Sequence, residues 1–122
     1  HTERPEEDWW ASYSKTIAKF MATRKTLPLP PPVHEIFETM EEILIGDVFG
    51  GLDRESSVAA YRANNAKVRA TIPAENLLIF TPSDGWEPLC RFLDVPVPTM
   101  EFPRSNARDE FWAIFGGEPS DK

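Results

Sequence analysis

The chain has 122 residues, enough for one buried core, and its 41% hydrophobic and 27% charged content is that of a globular domain or part of one. Thirteen Lys and Arg against twenty Asp and Glu give a net charge of −7, which argues against nucleic acid as a partner, because that needs clustered positive charge. The single cysteine excludes an internal disulfide and a cysteine metal cluster and fits a reducing cytoplasm, and no apolar run is long enough to cross a bilayer.

In chain order, His1–Glu3 reads as the end of a β-strand. Pro5 then fixes the backbone, and the spacing predicts a helix over Glu6–Thr23 that opens on an acidic turn. Its core stripe is Trp10, Tyr13, Ile17 and Phe20 or Met21, with Ser12, Thr16 and Lys19 on another face. Arg4 stands in the loop ahead of this helix, and Ser12 follows eight residues later in the first or second turn. A guanidinium fork, a hydroxyl and free helix N–H groups can converge on one anion such as phosphate. The competing reading is a surface arginine and a solvated helix serine.

The prolines of Leu27–Val33 predict an extended polyproline stretch, read as a rigid connector between helices. Lys25–Pro31 also fits the basic-x-x-Pro-x-x-Pro pattern taken by Src-homology domains. A second helix is expected over Val33–Phe49, burying Ile36, Phe37, Met40, Ile43 and Leu44. Glu35, Glu38, Glu41 and Glu42 then form a solvated acidic face without the histidine spacing of a metal site, and His34 is an exposed first-turn residue. Gly50-Gly51 ends this helix.

Asp53 is expected to cap a third helix over Arg54–Thr71, with Val58, Tyr61, Val68 and Ile72 inward and Arg62, Lys67 and Arg69 solvated. Pro73 stops it. The apolar run Leu77–Phe80 predicts a fully buried parallel strand, for which this chain supplies almost no neighbours. Asp84 and Glu87 read as a capping box for a short helix through Leu93 that buries Trp86, Leu89, Cys90 and Leu93, leaving Cys90 an inert thiol. Val95–Pro103 is expected to be extended. Ala107–Phe115 is a last helix whose Phe111, Trp112, Ile114 and Phe115 must dock on something.

Three stretches resemble the C-terminal part of the sulfotransferases that use 3′-phosphoadenosine 5′-phosphosulfate (PAPS), and in particular the sulfotransferase-like P-loop family common in fungi and bacteria. They are Arg4–Ile17 (RPEEDWWASYSKTI), Tyr61–Phe80 (YRANNAKVRATIPAENLLIF) and Gly85–Asn106 (GWEPLCRFLDVPVPTMEFPRSN). The resemblance implies an incomplete α/β P-loop-type fold, mostly α-helical in this chain, with one buried strand (Leu77–Phe80) and a strand remnant at the N-terminus. Residues 1–122 are then the C-terminal portion of a single domain whose N-terminal P-loop half is absent, in keeping with the lack of any G-x-x-x-x-G-K-[ST] motif.

The same resemblance implies PAPS as co-substrate without a metal, and a small-molecule acceptor. Arg4 and Ser12 hold the nucleotide's 3′-phosphate. Arg104 is a weaker third candidate, because its surroundings lack the family's glycine pattern. Pro5 directly after Arg4 also departs from the commoner arginine–aspartate–proline form. The implied function is transfer of a sulfuryl group from PAPS to a hydroxyl or amine, the isolated chain being inactive. The alternatives are a non-catalytic helical interaction module and a degenerate member that keeps the fold without the nucleotide.

Overall fold

The computed structural model describes residues 1–104 and 108–119, and among these the chain is mostly helical. Helix α1 (Glu6–Tyr13) passes through a π-helical segment, Ser14–Ala18, into α2 (Lys19–Thr23), and the 3₁₀ turn Arg24–Thr26 closes this rod. A second rod is α3 (Pro31–Glu41), continued by the π-helical Glu42–Phe49. Then come α4 (Arg54–Thr71), α5 (Trp86–Leu93) and α6 (Arg108–Ala113). The first rod lies at the centre: α4 packs along α1, and α6 packs on the π segment that follows it.

The π segment decides which face of the first rod is buried. An extra residue in a turn rotates everything beyond it, so the inward set is Tyr13, Thr16, Phe20 and Met21, while Ile17 is 42% exposed. Ile17 therefore leaves the expected stripe, and Trp10 is only half-buried. Thr16 is tolerated inside because its hydroxyl donates to the Ser12 carbonyl at 2.8 Å.

Two aromatic clusters hold the rods together. Phe20, Met21 and Trp112 form a buried centre with Phe37, Phe111 and Phe115 packed around it, and the Phe20 and Phe115 rings lie 4.3 Å apart. The Trp112 indole N–H donates to the Lys15 carbonyl at 2.9 Å, so the C-terminal aromatics dock on the first rod. Ala107, the expected start of that helix, lies outside the described residues. At the other end, Trp9 is sandwiched between Tyr13 (4.9 Å, 8°) and Tyr61 (4.4 Å, 13°).

Several boundaries follow local chemistry as expected. Gly50 ends the second rod with φ +68°, the left-handed conformation that glycine takes freely. The Asp53 carboxylate accepts from the Ser56 N–H at 2.9 Å and caps α4; that contact holds its pKa below the ordinary carboxylate value. Cys90 is buried.

Others differ. Pro31 and Pro32 open α3 instead of extending a polyproline stretch, since a proline at the first helical position lacks only an N–H that would be free anyway. Leu27 and Pro30 keep extended backbone, but the Leu29 N–H donates to the Leu27 carbonyl at 2.8 Å in a tight turn at Pro28, and Lys25 sits in the 3₁₀ turn, so the Src-homology pattern is not laid out as one polyproline helix. No residue of α3 or its π extension is buried: Ile36 and Ile43 are 58% and 52% exposed, and Met40 is exposed too. His34 is half-buried, not exposed. Ile72 and Leu93 are likewise exposed, each lying at a helix end that nothing covers.

The box expected at Asp84 and Glu87 forms one turn earlier, where the Asp84 carboxylate accepts from the Thr81 N–H at 2.9 Å. Gly85 takes the N-cap position of α5.

The expected buried strand is also corrected. Residues 77–80 form no strand; Phe80 makes an isolated parallel bridge with Thr2. The Phe80 N–H donates to the His1 carbonyl and the Glu3 N–H to the Phe80 carbonyl, both at 2.9 Å. The N-terminal segment, expected as the end of a strand, likewise forms only this one bridge and no strand. Phe80 is buried beside Phe102, whereas Ile79 is exposed and Leu77 and Leu78 are half-buried. Alternate side chains of an extended segment face opposite ways, and only the Phe80 side is covered here.

Candidate functional site

Arg4 sits between that bridge and the first turn of α1, where Pro5 holds the N-cap position. Its backbone is fixed by one side chain. The Tyr61 hydroxyl donates to the Arg4 carbonyl at 2.9 Å and accepts from the Arg4 N–H at 3.1 Å. Tyr61 is in turn stacked on Trp9, so an aromatic of α4 sets the path of the loop before α1. Sequence reasoning assigned Tyr61 to core packing alone; no local signal ties two residues 57 positions apart.

The charges around Arg4 follow an order that spacing could have shown. Arg54, Arg62 and Arg69 recur at eight and seven residues, which places them on one stripe of α4. Arg54 pairs with Glu7, Arg62 with Glu6 through contacts of 2.8–3.0 Å, and Arg69 with both oxygens of Glu3. Arg62 and Arg69 are therefore partnered as well as exposed. Exposed pairs of this kind add little to stability, because solvent screens them. Their larger effect is local, because they neutralise the carboxylates flanking Arg4. The Arg69 guanidinium is held more firmly protonated by its hydrogen bond to Glu3.

The Arg4 guanidinium itself makes no ion pair among the described residues, and its side chain is exposed. It borders three open clefts. One, of about 300 Å³, lies against Trp9, Tyr61 and Pro82; a second, of about 340 Å³, runs along α4 past Arg62 and Arg69; the third, of about 600 Å³, runs past Asp8 to Thr81 and Asp84. Such a site can offer a planar donor fork to an oxyanion next to the free N–H groups of the first turn.

Ser12 is half-buried in the last full turn of α1, and its carbonyl is taken by Thr16. It lines none of these clefts. Arg104 is exposed in the tail after Phe102. No hydrogen bond or ion pair links Arg4, Ser12 and Arg104 to one another among the described residues. Among the described residues no group of three or more His, Cys, Asp or Glu could hold a metal, and no helix is long and apolar enough to cross a membrane.

A stretch of 37 residues, 30% of the chain, is 60% identical to the Ava biosynthesis cluster protein M of Aspergillus versicolor, and spans 14% of that protein's length. The family described as the sulfotransferase domain matches residues 1–111. With that match covering the loop, both rods, α4, α5 and the start of α6, the chain belongs to the sulfotransferase domain family.

Proposed function

We propose that this chain supplies the 3′-phosphate-binding part of a PAPS site in an α/β P-loop sulfotransferase. It is the C-terminal portion of the domain, and other sequence of the protein carries the phosphate loop. The observation that carries the reading is the state of Arg4. Its backbone is pinned by Tyr61, its neighbouring carboxylates are paired with α4, and its guanidinium, at a helix N-terminus, has no partner among the described residues.

In the reaction, an acceptor hydroxyl or amine attacks the sulfur of PAPS. The S–O bond to the phosphate breaks, 3′,5′-bisphosphoadenosine leaves, and the acceptor's proton passes to a base or solvent. The part given to Arg4 and Ser12 is positioning: they fix the leaving nucleotide so that the sulfur stands in line with the acceptor. Arg104 is a further ligand for the same phosphate. A cytoplasmic location and a small-molecule acceptor belong to this reading.

Calorimetric titration of the full-length protein with 3′,5′-bisphosphoadenosine tests it. Arg4→Ala is expected to weaken binding by about 10–100-fold, the loss of a charge-assisted contact. Ser12→Ala is expected to cost roughly fivefold, as for one neutral hydrogen bond. Unchanged affinity in both variants overturns the assignment. The exposed Ile36, Met40 and Ile43 favour a second reading, a non-catalytic interaction module, which predicts no heat from the nucleotide at all.

A further inference from the structure

The first rod carries a second arginine at its opposite end, in a different state. Arg24, in the 3₁₀ turn that closes α2, is 1% exposed. Its Nη2 donates to Glu41 of α3. Its Nε and Nη1 are buried and have no hydrogen-bond partner among the described residues. Charged donors left unmet inside a protein are costly, so a guanidinium held this way calls for an acceptor from outside the chain.

Arg24 lines an open cleft of about 450 Å³ between the two rods, together with Lys25, Glu38, Glu41, Glu42 and Ile45. Two cations therefore face three carboxylates in one small space. A simple anion would satisfy Arg24 and Lys25 but would sit against those carboxylates. A simple cation would satisfy the carboxylates and leave the Arg24 N–H groups unmet. A ligand with both charges meets both demands.

We propose that this cleft binds a small zwitterion, a molecule with a carboxylate and an ammonium group joined by a short aliphatic spacer. The carboxylate takes the free Arg24 donors with Lys25 beside it. The ammonium lies among Glu38 and Glu42, and Ile45 covers the spacer. Arg4 borders no part of this cleft, so the inference stands apart from the nucleotide reading.

The test is calorimetric titration of the full-length protein with glycine, β-alanine and γ-aminobutyrate as probes, against butyrate, butylamine and inorganic phosphate. At least one aminocarboxylate is expected to bind saturably, about tenfold or more tighter than butyrate or butylamine. Because Arg24→Gln strands Glu41 and can unfold the protein, the double variant Glu38→Gln with Glu42→Gln carries the test. Both side chains are exposed. That variant is expected to lose the preference and to bind butyrate at least as well as the aminocarboxylates. Equal binding of phosphate or butyrate by the unaltered protein overturns the proposal. So does the absence of saturable binding at roughly millimolar probe, or a preference that survives the double variant.

Discussion

The two rods make an instructive pair. Each is an α-helix interrupted or extended by a π-helical segment, and each carries a run of apolar residues. The second has the more regular two-faced pattern, yet none of its residues is buried. The first has a weaker pattern and buries Tyr13, Thr16, Ala18, Phe20 and Met21. An amphipathic pattern tells which face of a helix is fit for burial. Whether a partner covers that face depends on what packs there. The first rod has α4 on one end and the α6 aromatics on the other. The second turns only an inner edge to the rest, with Phe37 and Ile45 on the shared cluster, Phe49 against Trp9 and Tyr13, and its π extension beside α4.

Substitutions measure how deep this difference goes. Phe20→Ala removes the ring on which four other aromatics converge, and is expected to cost about 3–5 kcal/mol in denaturant unfolding. Ile43→Ala, at an exposed position of the second rod, is expected to stay within about 0.5 kcal/mol. Equal losses at the two positions would break the contrast, because they would mean that the second rod is covered in solution.

Tyr61→Phe sharpens the contrast at the Arg4 end. It keeps the stack on Trp9 and deletes only the hydroxyl that joins α4 to the Arg4 backbone. A loss of about 1 kcal/mol is expected, with a few-fold weaker nucleotide binding under the proposed function.

The smallest effect concerns Tyr13, in the first rod. Burial raises its pKa above the ordinary value of 10.0, and the Ser57 hydroxyl beside it acts weakly the other way. Because the folded value is the higher, the associated stability is whole below about pH 10 and is lost as pH rises through the folded value. Tyr13→Phe is expected to flatten that alkaline decline, followed by thermal melts across the range.

The sequence was most legible where chemistry is local. Asp53 before α4, Gly50 after the second rod and the first rod's limits near Pro5 and Thr23 all follow from one or two neighbouring residues. It misled where a single inserted turn residue moved Ile17 outward and Thr16 inward, because periodicity assumes an uninterrupted helix. The proline run was misjudged for another reason: Pro31 at a helix start costs nothing that the helix needs.

At the candidate site, Arg4 could be singled out from its place before a helix. Its support could not. Tyr61 lies far along the chain, and the pairing of three α4 arginines with Glu3, Glu6 and Glu7 emerges only when α4 is laid along α1.

The parallel bridge between Thr2 and Phe80 has a kinetic meaning as well. It joins residues 2 and 80, and closing a loop of that length costs on the order of 4 kcal/mol of chain entropy. Helices form from near neighbours and come first, so the loop bearing Arg4 is set late in folding and released early on opening. A ligand gripping that loop would act as a latch, slowing release of the N-terminal segment well before it altered the melting of the helical body.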